Sequence, residues 1–323
     1  MKILLAGLGR WGSNHLRILK MLNAEVFVAD PSRQSKKCAL ENNVPEENFS
    51  GSFEDFIDKV DAVDIVTPAD THYSLCLKAM QKGKDVFVEK PLTLKSSECR
   101  KLSETAEEKK LILQVGHVFR FDPATAFMLR QIKEGVLGKI QWMIGNFYGF
   151  KRPRMDAGVT WSDSLHFIDL FNYLIGSVPK KVLARLKDNL GRDMDDASWV
   201  SLIYENAEAE VRANYFRPHK KREVVIIGSK ATLECDFSSS QDKIRIYKNT
   251  HIRNENTWVA TQGEVITQEI MQAEPLVLEL KSFIDCVKNR EKPLAGGWDG
   301  YNVVKVVEAA YESSMSGRIV DLA

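Results

Sequence analysis

Met1-Lys-Ile-Leu-Leu-Ala-Gly-Leu-Gly-Arg-Trp-Gly12 opens the chain, and in it an apolar run stops at three glycines with the spacing GxGxxG. The residues that follow have leucines at helical spacing, so we expect a strand, a glycine-rich turn and a helix. In such a turn Gly7 permits the tight bend, Gly9 keeps side chains away from a phosphate, and Gly12 lets the helix approach the strand. The N–H groups at the start of the helix then face the pyrophosphate of a dinucleotide.

The motif gains weight from an acidic residue at the end of the next predicted strand. The apolar run 25–29 leads into Asp30, which lies 18 positions after Gly12. At about 4 Å from a 2′-phosphate, this carboxylate is repulsive by about 1 kcal/mol in water and by about 4 kcal/mol at an effective dielectric of about 20. We therefore expect NAD to be preferred, although Arg33 could offset part of the repulsion and leaves NADP as an alternative. The structural alternative is a glycine-rich turn in an α/β domain that binds no nucleotide.

The composition is that of a globular protein large enough for two domains. The chain has 323 residues, of which 44% are hydrophobic and 28% are charged, and its net charge is +1. This balance offers no electrostatic attraction for nucleic acid or an anionic membrane, and no apolar run is long enough to cross a bilayer. Five cysteines without a CxxC pair indicate reduced thiols. We expect a cytoplasmic protein with neither a disulfide framework nor a metal site.

The first third of the sequence alternates predicted strands and helices. Such alternation is typical of a parallel, doubly wound α/β sheet of the Rossmann type, which we place at residues 1–118. Ligands of these sheets collect at the carboxyl ends of the strands. Polar residues follow predicted strands at Asp30, at Thr67-Pro68, at Glu89-Lys90-Pro91 and after Val115. We expect these residues to meet at one edge of the sheet.

From residue 119 onward, several predicted strands follow one another without helices between them. The pattern favours a mostly antiparallel open sheet with helices on one face, an α+β domain over residues 119–323. The predicted helices 163–175, 275–290 and 301–315 are too few to cover both faces. Since an uncovered apolar face is normally buried against another subunit, we expect this substrate-binding domain to form a homodimer or homotetramer.

Together these motifs resemble the Gfo/Idh/MocA family, which includes glucose–fructose oxidoreductase, inositol dehydrogenase and rhizopine-catabolism dehydrogenases. The resemblance covers nearly the whole chain. It rests on Gly7 to Gly12, Thr67-Pro68 with His72, Glu89-Lys90-Pro91, Gly116 with Arg120-Phe121 and Pro123, Ser164-Leu-His166-Phe-Ile-Asp169, Asp299-Gly300 and Ser316-Gly317-Arg318. It implies NAD(P)-dependent oxidation or reduction at a sugar or cyclitol carbon.

The resemblance also implies which residues bind the cofactor. His117 is among them because it directly follows the predicted strand end at Gly116, whereas the other histidines outside the motifs show no metal-ligand spacing. The expected cofactor-binding residues are Gly7, Gly9, Arg10, Trp11, Gly12, Asp30, Arg33, Thr67, Pro68, His72, Glu89, Lys90 and His117.

Lys90 and His166 are the first candidate catalytic residues. An ammonium group beside a nicotinamide can polarise a hydroxyl or carbonyl oxygen. Imidazole has an ordinary pKa of about 6.5 and therefore suits proton transfer near neutrality. The structural alternatives are that Lys90 is a surface lysine paired with Glu89 and that His166 is a core histidine paired with Asp169.

The sequence departs from the usual family pattern just before His166. Many members have an aspartate four residues before the histidine, where this chain has Ser162. Asp163, the third candidate catalytic residue, is displaced by one position, so the usual acid is either replaced or supplied from a shifted position. Thr160-x-x-Asp163 also fits a helix capping box, which would give Asp163 a structural role.

A basic loop, Lys151-Arg152-Pro153-Arg154, bears on the substrate. Three cations there could bind the diphosphate of a nucleotide-linked amino or acetamido sugar, which is the preferred substrate. A free aldose or a cyclitol such as myo-inositol is the second choice, and the loop is then solvated or a subunit contact. A regulator that binds NAD without turnover is the alternative from another functional class. The expected substrate-binding residues are Arg120, Arg152, Arg154, Ser162 and Asp169.

Overall fold

The computed structural model describes residues 1–239, 241 and 243–322, and the chain divides into two compact units. The first unit comprises Met1–Phe121 and Glu274–Val304, and the second comprises Asp122–Ala273 and Lys305–Ala323. The functional division at residue 118 stays a prediction, but the first unit also includes a segment from near the end of the chain.

Helices and strands are numbered along the chain. The α-helices of the described residues are α1 (Gly12–Met21), α2 (Arg33–Glu41), α3 (Ala69–Gln81), α4 (Ser96–Lys109), α5 (Pro123–Lys133), α6 (Leu165–Ile175), α7 (Pro275–Asn289) and α8 (Gly297–Ser316). The strands are β1 (Lys2–Ala6), β2 (Glu25–Ala29), β3 (Phe49–Ser50), β4 (Ala62–Ile65), β5 (Asp85–Glu89), β6 (Leu113–Gly116), β7 (Ile140–Tyr148), β8 (Lys181–Lys187), β9 (Ala197–Ile203), β10 (Glu208–Asn214), β11 (Lys221–Gly228), β12 (Thr232–Asp236), β13 (Ile244–Tyr247), β14 (Thr250–Asn254), β15 (Thr257–Thr261), β16 (Val265–Gln268) and β17 (Val320–Asp321). Within the described part of the chain, no helix combines the length and the apolar character needed to cross a membrane.

The first unit is built on a six-stranded sheet in the order β3-β2-β1-β4-β5-β6. Every neighbouring pair in this sheet is parallel. The strands are apolar and almost fully buried, as expected for a parallel sheet that is covered on both faces. The order and the direction are those of a doubly wound Rossmann sheet, and the predicted fold class is confirmed.

Helix α7 is part of the first unit although it lies near the C-terminal end of the sequence. Leu276, Leu280 and Phe283 are buried in one hydrophobic cluster with Leu16 and Leu19 of α1. From its place in the sequence we expect this helix in the second domain. Its apolar stripe is instead covered by the Rossmann sheet and α1, because periodicity shows that a helix face is buried but not against which element.

The second unit is built on a nine-stranded sheet in the order β16-β13-β12-β11-β7-β10-β9-β8-β17. Its pair β7–β10 is parallel and the other pairs are antiparallel. The mostly antiparallel open sheet is therefore confirmed. The sequence pattern does not predict β14 to β17, because β14 and β15 are exposed at every residue and β17 is only two residues long.

Helix α6 lies against one face of this sheet. A Cβ added at Gly145 of β7 would stand 2.8 Å from the Phe167 ring and 3.0 Å from the Phe171 ring, so the glycine allows the helix its close approach. The residues before α6 form a π-helical turn, Thr160–Ser164, although the sequence pattern predicts an α-helix from residue 163. Such turns are frequent at functional sites.

Candidate active site

The turn between β1 and α1 requires glycine at two positions. Gly7 has a φ of +92°, and a Cβ there would stand 2.7 Å from the carbonyl oxygen of Val66. A Cβ at Gly12 would stand 2.2 Å from the carbonyl oxygen of Gly7, so a larger residue would force α1 away from the strand. The loop therefore has the tight turn and the close helix approach that the motif predicts.

The same loop has room for a phosphate. A Cβ at Gly9 would meet no atom within 4 Å, so the backbone there is open. Backbone N–H groups at the start of α1 favour an anion at this place. Arg10 and Trp11 complete the loop, and both are exposed. These features fit the pyrophosphate of NAD.

Asp30 follows β2 and contacts the glycine loop. Its Oδ2 accepts a hydrogen bond from the backbone N of Leu8 at 2.7 Å, and its Oδ1 accepts one from the backbone N of Ser32 at 2.8 Å. An ionised carboxylate has about four acceptor positions, so capacity remains for ribose hydroxyls. Arg33, the first residue of α2, is exposed. The position of Asp30 fits the ribose role that the sequence predicts.

His72 joins the next two strand ends. Its Nδ1 lies 2.8 Å from the carbonyl oxygen of Pro91, and its Nε2 lies 2.9 Å from that of Thr67. Thr67 also bonds the hydroxyl of Thr71 at 2.7 Å, and Pro68 immediately precedes α3. Since the ring is buried, His72 supports the edge of the sheet, and a direct contact with the cofactor stays a prediction.

Glu89, the last residue of β5, has three hydrogen-bond partners. Its Oε1 accepts from the indole Nε1 of Trp11 at 2.6 Å and lies 3.2 Å from Nε2 of His15, and its Oε2 accepts from the backbone N of Lys90 at 3.1 Å. The other ring nitrogen of His15 lies 2.8 Å from Asp64. Burial by itself lowers the pKa of His15, but the two carboxylates outweigh burial and raise this pKa to about 10. Lys90 therefore lies beside a buried network of charges.

Arg120 and His117 lie just after β6, and both side chains are buried. Arg120 donates to the carbonyl oxygen of Leu294 at 2.8 Å and to Oδ1 of Asp299 at 3.0 Å. Its guanidinium thus bonds α8 and the segment before it, and a direct contact of Arg120 with the substrate stays a prediction. The role of His117 toward the cofactor stays a prediction.

In the second unit, an ion pair holds Asp163. The side chain of Asp163 is buried, and its Oδ1 and Oδ2 lie 3.0 Å and 2.8 Å from Nζ of Lys151. Nζ of Lys151 also lies 5.2 Å from the centre of the Tyr215 ring. Lys151 thus provides a counter-ion for a buried carboxylate, which would otherwise be costly to bury.

The alternative capping box at Thr160 is wrong. The backbone N and the hydroxyl of Thr160 both donate to Oδ2 of Asp195, at 2.8 Å and 2.7 Å. Asp195 thus accepts the hydrogen bonds from the first residue of the π-helical turn, and Asp163 is paired with Lys151 instead. Ser162 bonds the hydroxyl of Tyr215 at 2.8 Å. Burial raises the pKa of Tyr215 to about 12, so this hydroxyl is protonated at neutral pH.

His166 is half-buried on α6, one turn after Asp163. Its ring stacks on Phe147, with the ring centres 5.6 Å apart and the planes 11° apart. The guanidinium carbon of Arg222 lies 3.5 Å from the centre of the same phenyl ring, and burial lowers the pKa of Arg222. Asp169, one turn beyond His166, is buried. Stacking thus orients the imidazole on the segment that carries the buried carboxylate.

Two of the three cations of the basic loop form ion pairs with carboxylates of the second unit. Nε and Nη2 of Arg154 donate to the two carboxylate oxygens of Asp156 at 2.9 Å and 2.6 Å. Lys151 is paired with Asp163, as described above, and Arg152 is exposed. Two of the three expected diphosphate ligands therefore already have carboxylate partners.

Several residues of these clusters are absent from the candidates that the sequence suggests. Asp64 has a signal in the sequence, since a charged residue inside a buried strand must be paired, but the sequence does not identify His15 as its partner. Tyr215 and Arg222 reach the cluster of Asp163 through strand pairing, and nothing in their local sequence points to it.

Comparison with known proteins agrees with this architecture. Residues 1–117 match the family model described as "Oxidoreductase family, NAD-binding Rossmann fold", and residues 130–322 match its "C-terminal alpha/beta domain". The scyllo-inositol 2-dehydrogenase (NAD(+)) of Bacillus subtilis is 29% identical over 98% of this chain and 94% of the relative. A UDP-N-acetylglucosamine 3-dehydrogenase of Acidithiobacillus ferrooxidans is 36% identical over 39% of each chain.

The fold is also found among solved structures. A probable dehydrogenase from Thermotoga maritima has a TM-score of 0.83 at 22% identity and covers 99% of this chain and 98% of its own. The two family models span both sheets of the present structure, and the glycine loop has the geometry that a dinucleotide requires. The protein therefore belongs to the Gfo/Idh/MocA oxidoreductases, and its first unit carries their NAD-binding Rossmann fold.

Proposed function

We propose that the protein is an NAD-dependent dehydrogenase that oxidises a ring CH–OH group of a sugar or cyclitol. The observation that carries this proposal is the buried carboxylate of Asp163, paired with Lys151, one turn before His166. It provides a fixed carboxylate and an imidazole on one short segment, which suits binding a hydroxyl group and removing its proton. The chemistry that NAD supplies when bound is the acceptance of a hydride.

Each residue has a separate task in this proposal. The glycine loop holds the pyrophosphate, and Asp30 holds the ribose. The ammonium group of Lys90 polarises the reacting oxygen and stabilises negative charge that develops on it. Asp163 accepts a hydrogen bond from a substrate hydroxyl, and His166 accepts the proton that leaves the reacting hydroxyl.

A neutral polyol, either a cyclitol or a free aldose, is the first candidate substrate. Lys151 and Arg154 are paired with carboxylates of their own unit, so the loop offers a diphosphate far less charge than its sequence suggests. The relative that acts on scyllo-inositol, which matches 98% of this chain, supports the same choice.

A nucleotide-linked sugar is the second candidate. Arg152 is exposed, and an arginine can bind phosphate oxygens in a bidentate manner. The relative that acts on UDP-N-acetylglucosamine is 36% identical, although over 39% of this chain. A regulator that binds NAD without turnover is the alternative from another class, and the residues proposed for catalysis argue against it.

A substrate panel tests the proposal. Cyclitols, free aldoses and nucleotide sugars are incubated with the protein and NAD, and reduction is read at the nicotinamide absorbance. Lys90→Ala and His166→Ala should each lower turnover by about 10²-fold or more, with NAD affinity nearly unchanged. His219→Ala, an exposed histidine of the second unit, is the matched control. NAD binding without reduction by any panel compound would favour the regulator instead.

A further inference from the structure

A chain of hydrogen bonds links the dinucleotide loop to Lys90 through the interior of the first unit. It begins at Trp11 in the loop, passes through the carboxylate of Glu89 and continues through His15 to Asp64. The same Glu89 carboxylate accepts the backbone N–H of Lys90 with its other oxygen. The Glu89 carboxylate thus bonds Trp11 of the loop, His15 of α1 and the backbone of Lys90, the residue that we propose to be catalytic.

The ring of His15 lies between two buried carboxyl groups. Nδ1 faces Asp64 at 2.8 Å and Nε2 faces Glu89 at 3.2 Å, so a protonated imidazole can donate at both ends. The two carboxyl groups raise the pKa of His15 to about 10, which favours this protonated form at neutral pH. The side chains of His15 and Asp64 are fully buried, so solvent does not compete for either contact.

The carboxylate of Glu89 packs closely against the neighbouring strand. A Cβ added at Gly116 of β6 would stand 3.0 Å from the carboxyl carbon of Glu89, so the group lies directly against the neighbouring strand. The His15 ring is packed in turn against Phe87, with the ring centres 5.6 Å apart. Because Glu89 is fixed on all these sides, the backbone that it holds at Lys90 is fixed with it.

We propose that Trp11 and His15 are positioning residues, which act through Glu89 to hold Lys90 in register with the dinucleotide loop. The inference rests on the proposed role of Lys90. It goes beyond that role because it assigns a task to a tryptophan of the loop and to a fully buried histidine that bonds Glu89 and Asp64. Removing the hydrogen bond of either residue to Glu89 therefore displaces Lys90, while the proposed reacting groups all remain in the protein.

Trp11→Phe is the decisive variant, because it keeps an aromatic ring in the loop and removes only the indole donor. Its matched control is Trp298→Phe, since Trp298 is also partly exposed in the first unit and donates its Nε1 to the carboxylate of Glu107 at 2.7 Å. Misplacing a reacting group by about 1 Å costs about 10²-fold in rate. We expect kcat of Trp11→Phe to fall by about tenfold or more, and by much more than its affinity for NAD, measured by calorimetry, because the phenyl ring still occupies the loop.

A second readout does not depend on turnover. Arylation of the Lys90 amine by trinitrobenzenesulfonate, which releases sulfite, reports the surroundings of that amine when it is followed by peptide mass spectrometry. We expect its modification rate to change in Trp11→Phe and in His15→Gln, while that of the exposed Lys95 stays constant. Trp298→Phe should match wild type in both readouts and in thermal unfolding.

The outcomes separate this inference from the proposed function. Wild-type kcat and an unchanged Lys90 modification rate in Trp11→Phe would overturn the positioning role, even if Lys90→Ala is inactive. A parallel loss of NAD affinity and kcat would also overturn it, since Trp11 would then act on the cofactor itself. If Lys90→Ala keeps its turnover, the proposed function fails, and the modification rate still decides whether the network holds Lys90. Trp11→Phe carries the test alone if His15→Gln does not fold.

Discussion

His15 is a cation enclosed by protein, and its charge affects folding as well as the geometry around Glu89. Burial opposes that charge, but Asp64 and Glu89 raise the pKa of His15 from 6.5 to about 10. A histidine whose pKa is higher in the folded state stabilises the fold fully below its unfolded pKa. That contribution is lost as the pH rises through the folded pKa.

The stability of wild type should therefore depend on pH in a way that His15→Gln does not share. We expect the difference in free energy of unfolding between the two proteins to shrink as the pH rises from 6.5 to about 10. Denaturant unfolding at a series of pH values measures this difference, and groups that titrate equally in both proteins cancel. A difference that stays constant over this range would mean that His15 is neutral in the folded protein.

Asp30 combines two tasks that substitutions can separate. Asp30→Ala should lower NAD affinity and narrow the preference over NADP, because the ribose acceptor and the charge both disappear. Asp30→Asn keeps an acceptor for the backbone N of Leu8 and removes only the charge. Binding of both dinucleotides to wild type and to the two variants, measured by calorimetry, tests this assignment. If Asn keeps the full preference for NAD, charge is not the discriminating feature and Arg33 becomes the residue to change.

The segment from the end of β7 to α6 is the element that we propose to select the substrate. It brings Lys151 back to Asp163 and leaves Arg154 with Asp156, so the first cation neutralises a buried acid and the second does not. The two cations should therefore differ in importance although their local sequences look alike. Truncating Lys151 leaves a buried carboxylate without its counter-ion, which disturbs the geometry around Asp163.

We expect Lys151→Ala to lower kcat/KM for a neutral polyol by about tenfold or more, and Lys151→Arg to restore part of it. The double variant Arg152→Ala/Arg154→Ala should leave kcat/KM for the same polyol within about twofold of wild type. Steady-state kinetics with the best compound of the panel makes the comparison. If the double variant instead raises KM for a nucleotide sugar tenfold or more, with kcat little changed, the loop binds a diphosphate.

On the scale of the whole molecule, the face of the second sheet opposite α6 remains the predicted subunit contact. Trp142 and Ile144 of β7 stand directly opposite Ile227 and Val225 of β11, and these four side chains are half-buried. Cross-strand neighbours of this kind form one apolar patch rather than scattered side chains. A patch in the middle of a sheet is well suited to pack against the same patch of a second copy.

We expect a homodimer or homotetramer in analytical ultracentrifugation at micromolar protein. Val225→Glu should shift the mass toward the monomer, because it places a charge in the centre of the patch. Leu40→Glu, which changes an exposed leucine of the first unit, is the matched control. A monomeric mass for wild type at this concentration would show that the sheet face is not the contact.

The sequence by itself determined the features whose causes lie within a few residues. Alternating apolar runs and helical spacing predicted the Rossmann sheet and the open antiparallel sheet, because side-chain periodicity is a local property. The glycines were predictable for the same reason, since the atom that a side chain at Gly12 would strike belongs to Gly7. Short, fully exposed strands such as β14 and β15 carry no such periodicity and could not be predicted.

Only the tertiary structure decided which charged groups are partners. Arg120 bonds Asp299, 179 positions away, and His15 bonds Glu89, 74 positions away, so neither pair is visible in local sequence. Asp163 fitted a capping box by spacing, but the fold supplied Asp195 for that task. The strength of such contacts depends on burial and on the nearest opposite charge, and both arise only when distant segments of the chain pack together.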